Sequence, residues 1–150
     1  MNVFEVETTR DDDDPPGYNA GYARLGPTLG AVALGMSVYD LDPGNSICPY
    51  HYEQPEEEWL IVLAGRPTLR VPDGEHELDP GDVVCFPAGP DGAHKVTNRS
   101  DEPVRVAMLS TKSETACAVY PDSNKVGVFP LRKFFRIEDE VGYWEGEPLS

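Results

Sequence analysis

Basic residues are few in this sequence of 150 residues, and long apolar runs are absent. Its 12 Lys and Arg residues stand against 27 Asp and Glu residues, so the formal net charge is −15. A surface this acidic repels nucleic acid phosphates and anionic lipid headgroups. No apolar stretch approaches the roughly 20 residues that a transmembrane helix needs. We therefore expect no nucleic acid partner and no membrane association.

Cysteine is also scarce, and the N-terminus lacks a targeting pattern. Cys48, Cys85 and Cys117 are an odd number of cysteines without the paired spacing of a zinc site. Free thiols fit a reducing compartment. The N-terminal segment MNVFEVETTRDDDD has neither a basic stretch nor an apolar core, so it does not resemble a signal peptide. These features predict a cytoplasmic protein.

Glycine and proline, in contrast, are abundant, with 14 and 15 residues. This density of turn-forming residues disfavours long helices and favours many short strands joined by turns. Turn signals lie at residues 42–44, 72–74 and 79–82, with apolar or alternating segments between them. About eight short strands at intervals of about 8–12 residues are typical of an all-β sandwich or barrel. We therefore predict a single all-β barrel.

The distribution of charge and aromatic residues divides the chain into three parts. Residues 1–23 form an acidic N-terminal arm, and this whole arm is expected to be solvated because the residues of the run Asp11–Asp14 repel one another. Residues 24–120 contain the predicted barrel, and residues 121–150 form a C-terminal extension. A strand is predicted over 126–129 and a short helical turn within 132–140.

The C-terminal extension is too rich in aromatic residues for a free arm. It contains Phe129, Phe134, Phe135, Tyr143 and Trp144. We expect these side chains to cover an open face of the barrel, in this chain or in a partner chain. Open sheets have edges that need cover, so the same material predicts a homodimer.

Four residues with metal-ligating side chains are spaced so that they could meet. His51 and Glu53 alternate on a predicted strand over 47–53 and therefore face the same side. Glu58 begins the next strand, and His94 lies near the start of a later one. Two imidazoles and two carboxylates converging inside a barrel would hold a divalent transition metal with open positions. The third histidine, His76, lies in an acidic hairpin and is expected to be exposed.

The spacing of these residues resembles the two sequence motifs of the cupins. The first motif, GxxxxxHxHxxxxExxxxxxG, is matched by Gly44, His51, Glu53, Glu58 and Gly65. The second, GxxxxxPxGxxHxxxN, is matched by Gly81, Pro87, Gly89, His94 and Asn98. The chain departs from the motifs by one extra residue before His51, by Glu53 in place of the second histidine, and by two extra residues before His94. The resemblance covers about residues 30–111.

This resemblance implies a double-stranded β-helix, or jelly-roll, barrel with a metal held by residues of both motifs. Carried over by position, the ligands are His51, Glu58 and His94, with Glu53 as the fourth. A second carboxylate shifts the preference towards Fe, Mn or Zn and away from Cu. Two alternatives stay open: Glu53 turns aside and leaves a two-histidine, one-carboxylate site, or the site has lost its metal.

The function implied by the resemblance is broad. Cupins include dioxygenases, decarboxylases, isomerases and epimerases, and no second set of acid–base residues selects one reaction here. The sequence therefore indicates a barrel with a divalent metal site that acts on or binds a small organic molecule. If it is an enzyme, a dioxygenase, a decarboxylase or an isomerase is expected. The alternatives are a metal-free module that binds a sugar or an organic acid without catalysis, and a structural protein with a vestigial site.

Overall fold

The structure, a computed structural model, describes residues 1–148 and confirms the all-β prediction. Its helical segments are one α-helical turn, α1 (Leu25–Thr28), and four short 3-10 turns. None of the helices among residues 1–148 is long and apolar enough to cross a membrane. The strands are β1 (Gly21–Arg24), β2 (Leu34–Leu41), β3 (Tyr52–Gln54), β4 (Glu58–Ala64), β5 (Thr68–Val71), β6 (Gly74–Glu77), β7 (Val83–Phe86), β8 (Lys95–Thr97), β9 (Val104–Thr111), β10 (Cys117–Tyr120), β11 (Lys125–Val128) and β12 (Lys133–Arg136).

These strands form three antiparallel sheets. The largest has the order β1-β2-β9-β4-β7, the second β12-β11-β10-β3, and the third β6-β5-β8. The main core lies between the largest and the smallest sheet, because Leu60 and Val106 from the first share one apolar cluster with Leu69 and Val96 from the third. A sheet pair closed over a common core is the barrel that the turn density predicts.

The five-stranded sheet is packed on both of its faces. Along β4, Leu60 and Val62 point into the main core, and the alternate residue Ile61 joins a second cluster on the outer face. That outer cluster is centred on Leu25, Val38 and Ala107. The period-two alternation of a strand thus places β4 residues in two separate apolar cores.

The N-terminal segment supplies part of the cover for the outer face. Val3 and Val6 pack against the outer cluster, while the acidic run Asp11–Asp14 is exposed. The Arg105 guanidinium donates to both carboxylate oxygens of Asp40, at 2.7 Å each, and to the carbonyls of Val3 at 3.3 Å and Val6 at 3.1 Å. The arm expected to be solvated is therefore solvated at its acidic run and anchored near its start.

The C-terminal extension adds two strands to the sheet that contains β3. Strand β11 lies where a strand is predicted, but residues 133–136 form β12 rather than the predicted helical turn, which is limited to a 3-10 turn at Ile137–Asp139. Arg132 adopts a left-handed backbone conformation with φ of 52° and reverses the chain, so Lys133–Arg136 pairs with β11. All five aromatic side chains of this extension are exposed, among them Phe134 and Trp144. The homodimer that would cover them stays a prediction.

Candidate metal centre

A short antiparallel bridge brings the two motif histidines together. The His51 amide donates to the His94 carbonyl at 3.1 Å, and the His94 amide donates to the His51 carbonyl at 2.8 Å. Their ring centroids are 4.8 Å apart. The predicted strand over 47–53 is wrong in its extent, since β3 begins only at Tyr52. Pro49 has no amide hydrogen for a ladder, and the chain bends there before it reaches His51.

Backbone carbonyls orient both imidazoles. The Nδ1 atom of His51 lies 3.0 Å from the Pro49 carbonyl oxygen, and that of His94 lies 2.9 Å from the Gly92 carbonyl oxygen. A carbonyl can only accept, so Nδ1 of each ring carries a proton, and Nε2 is the atom left to bind a metal when the imidazole is neutral. The Phe86 ring stacks on His94 with centroids 3.7 Å apart. Both rings are therefore fixed as ligands are in metal sites.

The two carboxylates approach the same Nε2 atoms. Glu58 Oε2 lies 3.5 Å from His94 Nε2 and 3.9 Å from His51 Nε2, and Glu53 Oε1 lies 3.6 Å from His51 Nε2. The Oε2 atoms of Glu53 and Glu58 are buried and accept no hydrogen bond from any group in the described chain. Buried oxygens of this kind are costly unless a cation or a donor satisfies them. Both glutamates therefore face the cavity, as the spacing predicts.

This donor set fits a divalent transition metal. One ligand atom each from His51, Glu58 and His94 lies within 4.8 Å of the others. Ligands bound at about 2.0–2.2 Å from one ion are themselves about 3–4 Å apart, so a small contraction would close the set. Glu53 lies outside this group of three but beside it. The unpartnered Oε2 atoms are the observation that favours a cation here.

Burial and mutual charge shift the pKa values of the site. Burial raises the pKa of Glu58 to about 7. Burial, together with the neighbouring positive charge of His51, lowers the pKa of His94 to about 4, so His94 is neutral. Burial also acts to lower the pKa of His51, but the Cys48 thiol and the Glu53 and Glu58 carboxylates outweigh it and raise that pKa. The neutral His94 can therefore bind a metal directly, whereas His51 must first release a proton.

The four residues line a cavity of about 260 Å³. Tyr39, Cys48, Met108 and Tyr120 line it as well. The Tyr120 ring stacks on His51 at 5.7 Å, and burial raises the pKa of Tyr120 to about 12. Neither tyrosine belongs to the motifs that indicate the four candidate ligands. Tyr120 comes from β10, and no motif indicates that β10 pairs with β3. The inward alternation of β2 could have indicated Tyr39.

Other candidate residues lie elsewhere. His76 is exposed, as expected, with Nε2 3.1 Å from an Asp73 oxygen. Cys85 is exposed as well, and Cys117 is half-buried in β10. Cys48, which by default would be a small buried residue of the core, instead lines the cavity with its Sγ 3.5 Å from His51 Nδ1.

The fold and the two-histidine, two-carboxylate site define a cupin-type barrel. A family model described as "Cupin domain" matches residues 37–110, a range that contains all four candidate ligands. The chain belongs to the cupin superfamily. No curated protein matches the chain.

Solved structures extend the similarity over the whole chain. A sugar phosphate isomerase of the cupin superfamily from Silicibacter pomeroyi is 27% identical, with a TM-score of 0.80 over 100% of this chain and 96% of that one. A protein provisionally described as a sugar phosphate isomerase, from Acidithiobacillus ferrooxidans, is 22% identical, with a TM-score of 0.83 over 93% and 91%. The polyketide cyclase RemF from Streptomyces resistomycificus is 20% identical, with a TM-score of 0.60 over 74% and 77%. The last two similarities concern the fold alone.

Proposed function

We propose that this protein is a metal-dependent isomerase of a small polyhydroxy carbonyl compound, of the sugar phosphate class. The observation that carries the proposal is the pair of buried carboxylate oxygens without a hydrogen-bond partner, beside two oriented imidazoles that line the same cavity. The similarity to the Silicibacter pomeroyi isomerase over the full chain supports the choice of reaction.

In this proposal His51, Glu58 and His94 hold the metal, and Glu53 is the fourth candidate ligand. A bound divalent ion would act as a Lewis acid on a substrate carbonyl or hydroxyl oxygen. Tyr39 and Tyr120 bring hydroxyl groups to the same cavity and can donate hydrogen bonds to substrate oxygens. Ile47, Val96 and Met108 form apolar walls of the cavity that limit access of water.

Isomerisation of a hydroxy carbonyl compound moves a proton between two adjacent carbon atoms. A base removes the proton from the carbon that bears the hydroxyl and returns it to the former carbonyl carbon, while a second proton passes between the two oxygens. Glu53 has the carboxylate best suited to this work, because its Oε2 has no partner among residues 1–148 and it lies outside the three-residue ligand group. Two roles, fourth ligand and proton carrier, are therefore open to Glu53.

The Glu53→Gln substitution separates these roles. A glutamine keeps the size of the side chain but cannot accept a proton from carbon. If Glu53 carries the proton, the variant retains metal and loses isomerase activity by about 100-fold or more. If Glu53 is a ligand, metal content falls together with activity. The matched control is Glu57→Gln, because Glu57 is exposed on the same segment and should change neither quantity.

Metal content and isomerase activity of the wild-type protein test the proposal itself. The protein, loaded with Fe, Mn or Zn, is assayed against phosphorylated aldoses and ketoses by NMR of the products. Interconversion that stops on chelation and returns with metal is expected. A protein that retains no metal after exposure to all three ions, or that retains metal but converts none of these sugars, would contradict it.

A metal-free binding module is the second candidate. The raised pKa of His51 favours it, because a protonated His51 forms ion pairs with Glu53 and Glu58 without any metal. The cavity would then hold a sugar or an organic acid without changing it. Calorimetric binding of such a ligand in the presence of a chelator, with no turnover, would favour this function over the isomerase.

A further inference from the structure

A second chamber adjoins the candidate metal centre. Its volume is about 490 Å³, and it shares Tyr39, Glu53, Glu58 and Met108 with the inner cavity. Because these side chains line both spaces, a small molecule in the second chamber would lie beside the candidate ligands. We call it the entrance chamber.

Two cationic side chains line the entrance chamber, Arg24 at the end of β1 and Lys112 just beyond β9. The strand register explains their position. Arg24 pairs with Ser37, and Ser37 pairs with Met108, a residue that lines both chambers. Lys112 follows Ser110 by two residues and so continues the face of β9 that also carries Met108. Both cations thus extend the inward face of the five-stranded sheet.

Neither cation has an acidic partner among the described residues. Most arginines of this acidic chain lie within 4.0 Å of a carboxylate, as Arg66, Arg70 and Arg99 do. Arg24 and Lys112 form no ion pair of this kind, and their side chains donate no hydrogen bond within residues 1–148. Two unpaired cations beside one chamber are unusual on a chain with a net charge of −15. Because Glu53, Glu56 and Glu58 line the same chamber, an anion there would be held by direct contact with Arg24 and Lys112 and not by the net charge of the lining.

Gly35 provides the space that Lys112 occupies. A Cβ atom at position 35 would lie 2.5 Å from Lys112 Cε and 2.9 Å from Lys112 Nζ. The ammonium group therefore lies across the sheet at the entrance chamber, where a side chain at residue 35 would displace it. Hydroxyl groups of Ser37, Ser110 and Ser113 line the same chamber.

We propose that Arg24 and Lys112, together with these serine hydroxyls, bind the phosphate group of the substrate in the entrance chamber. A phosphate monoester is a dianion with three acceptor oxygens, which suits a guanidinium, an ammonium and several hydroxyl donors. The phosphate then lies at the opening, and the carbon chain extends inwards to Glu53 and Glu58. This inference rests on the proposed function, to which it adds the residues that select a phosphorylated substrate.

The test measures binding to the metal-free full-length protein, so that no metal contributes. Glucose 6-phosphate, glucose, glucuronate and inorganic phosphate are titrated calorimetrically into the wild type and into Arg24→Ala, Lys112→Ala and the double variant. We expect glucose 6-phosphate to bind more tightly than glucose. Each single substitution should raise its Kd by about tenfold, and the double substitution by more. The Kd of inorganic phosphate should rise in the same way, by more in the double variant than in either single variant.

Lys133→Ala and Arg136→Ala are the matched controls, because they remove the same charges from β12, which does not line either chamber. These two substitutions should leave the Kd values of glucose 6-phosphate and of inorganic phosphate unchanged. Equal weakening by the controls would reduce the effect to net charge and overturn the proposal. So would equal binding of glucose and glucose 6-phosphate, or of glucuronate and glucose 6-phosphate.

The outcome is independent of the isomerase proposal. Loss of phosphate binding in Arg24→Ala and Lys112→Ala, in a protein that proves to lack metal or isomerase activity, supports the phosphate site while the isomerase proposal fails. Active wild-type protein whose KM for a sugar phosphate is unchanged by both substitutions overturns the phosphate site and leaves the isomerase intact. Circular dichroism confirms in each case that the variant is folded.

Discussion

The histidine side and the glutamate side of the cavity are held in different ways. His51 and His94 each have one ring nitrogen tied to a backbone carbonyl, and a mutual bridge fixes their main chains. Glu53 and Glu58 each have a buried oxygen with no partner in residues 1–148. The histidines are therefore positioned by the fold itself, whereas the carboxylates depend on whatever enters the cavity. Substitutions on the two sides should differ in their effects on metal affinity.

The largest effect is expected from the histidine side. His94→Ala or His51→Ala removes an oriented ligand that no neighbouring side chain can replace, and metal affinity should fall by at least about 100-fold. Metal content after dialysis against a limiting chelator measures it. His76→Ala is the control, because His76 is exposed and distant from the candidate ligands. Retention of wild-type metal content by both cavity variants would remove the basis of the metal centre.

Glu58→Gln should come next. The amide is a weaker ligand than the carboxylate, so metal binding should weaken by more than about tenfold. Without metal, the substitution replaces a buried carboxylate whose Oε2 accepts no hydrogen bond and whose ion pair with His51 is long, at 3.9 Å, so the metal-free protein should keep its free energy of unfolding to within about 1 kcal/mol. Chemical denaturation checks the second part. A variant that unfolds before the wild type in the absence of metal would indicate that Glu58 has a structural role.

A smaller effect is expected for Glu53→Ala, because Glu53 lies outside the group of three mutually close ligands. The variant should bind metal more weakly, by about tenfold, and stay folded. Glu53→His should restore binding and shift the preference towards softer ions, since imidazole replaces a carboxylate. Competition between Zn and Mn, followed by metal analysis, measures the shift. An unchanged preference would place Glu53 outside the coordination sphere.

The smallest effect concerns pH. A metal binds the ionised form of Glu58 and the neutral form of His51, so binding releases protons. Since burial raises the pKa of Glu58 to about 7, affinity should fall as the pH falls through 7, by up to about tenfold per pH unit for that proton. His94, with a pKa of about 4, should add no competition in this range. Calorimetry in buffers of different ionisation enthalpy counts the released protons, and the count for Glu58→Gln should be lower.

Much of this site could be predicted from the sequence. The motif spacing identified His51, Glu53, Glu58 and His94, and each of them faces the cavity in the structure. Motif spacing predicts these positions because the alternation of side chains along a strand and the residues that form a turn are determined by neighbouring sequence. It also selected Glu58 from three consecutive glutamates, whereas Glu56 lines the entrance chamber but not the inner cavity, with its Oε1 accepting a hydrogen bond from the Ser113 amide.

Contacts between distant segments could not be predicted in the same way. Tyr120 reaches the cavity through the pairing of β10 with β3, and Arg24 reaches the entrance chamber through the register of β1 on β2. Likewise, Arg105 anchors Val3 and Val6 across about a hundred positions of sequence. Composition assigned that first segment to a solvated arm, because neither local charge nor periodicity indicates a partner so far along the chain.

The placement of the two tryptophans has a practical consequence. Trp59 follows Glu58 directly in β4, and its indole nitrogen donates to Glu57 at 2.8 Å, whereas Trp144 is 77% exposed near the C-terminus. The protein therefore contains two native fluorophores in different surroundings. Fluorescence of a Trp144→Phe protein would report on the strand that supplies Glu58. Fluorescence of a Trp59→Phe protein would report on the C-terminal extension. The emission of Trp59 could therefore follow ligand binding, and the emission of Trp144 could follow the covering of the extension by a partner chain.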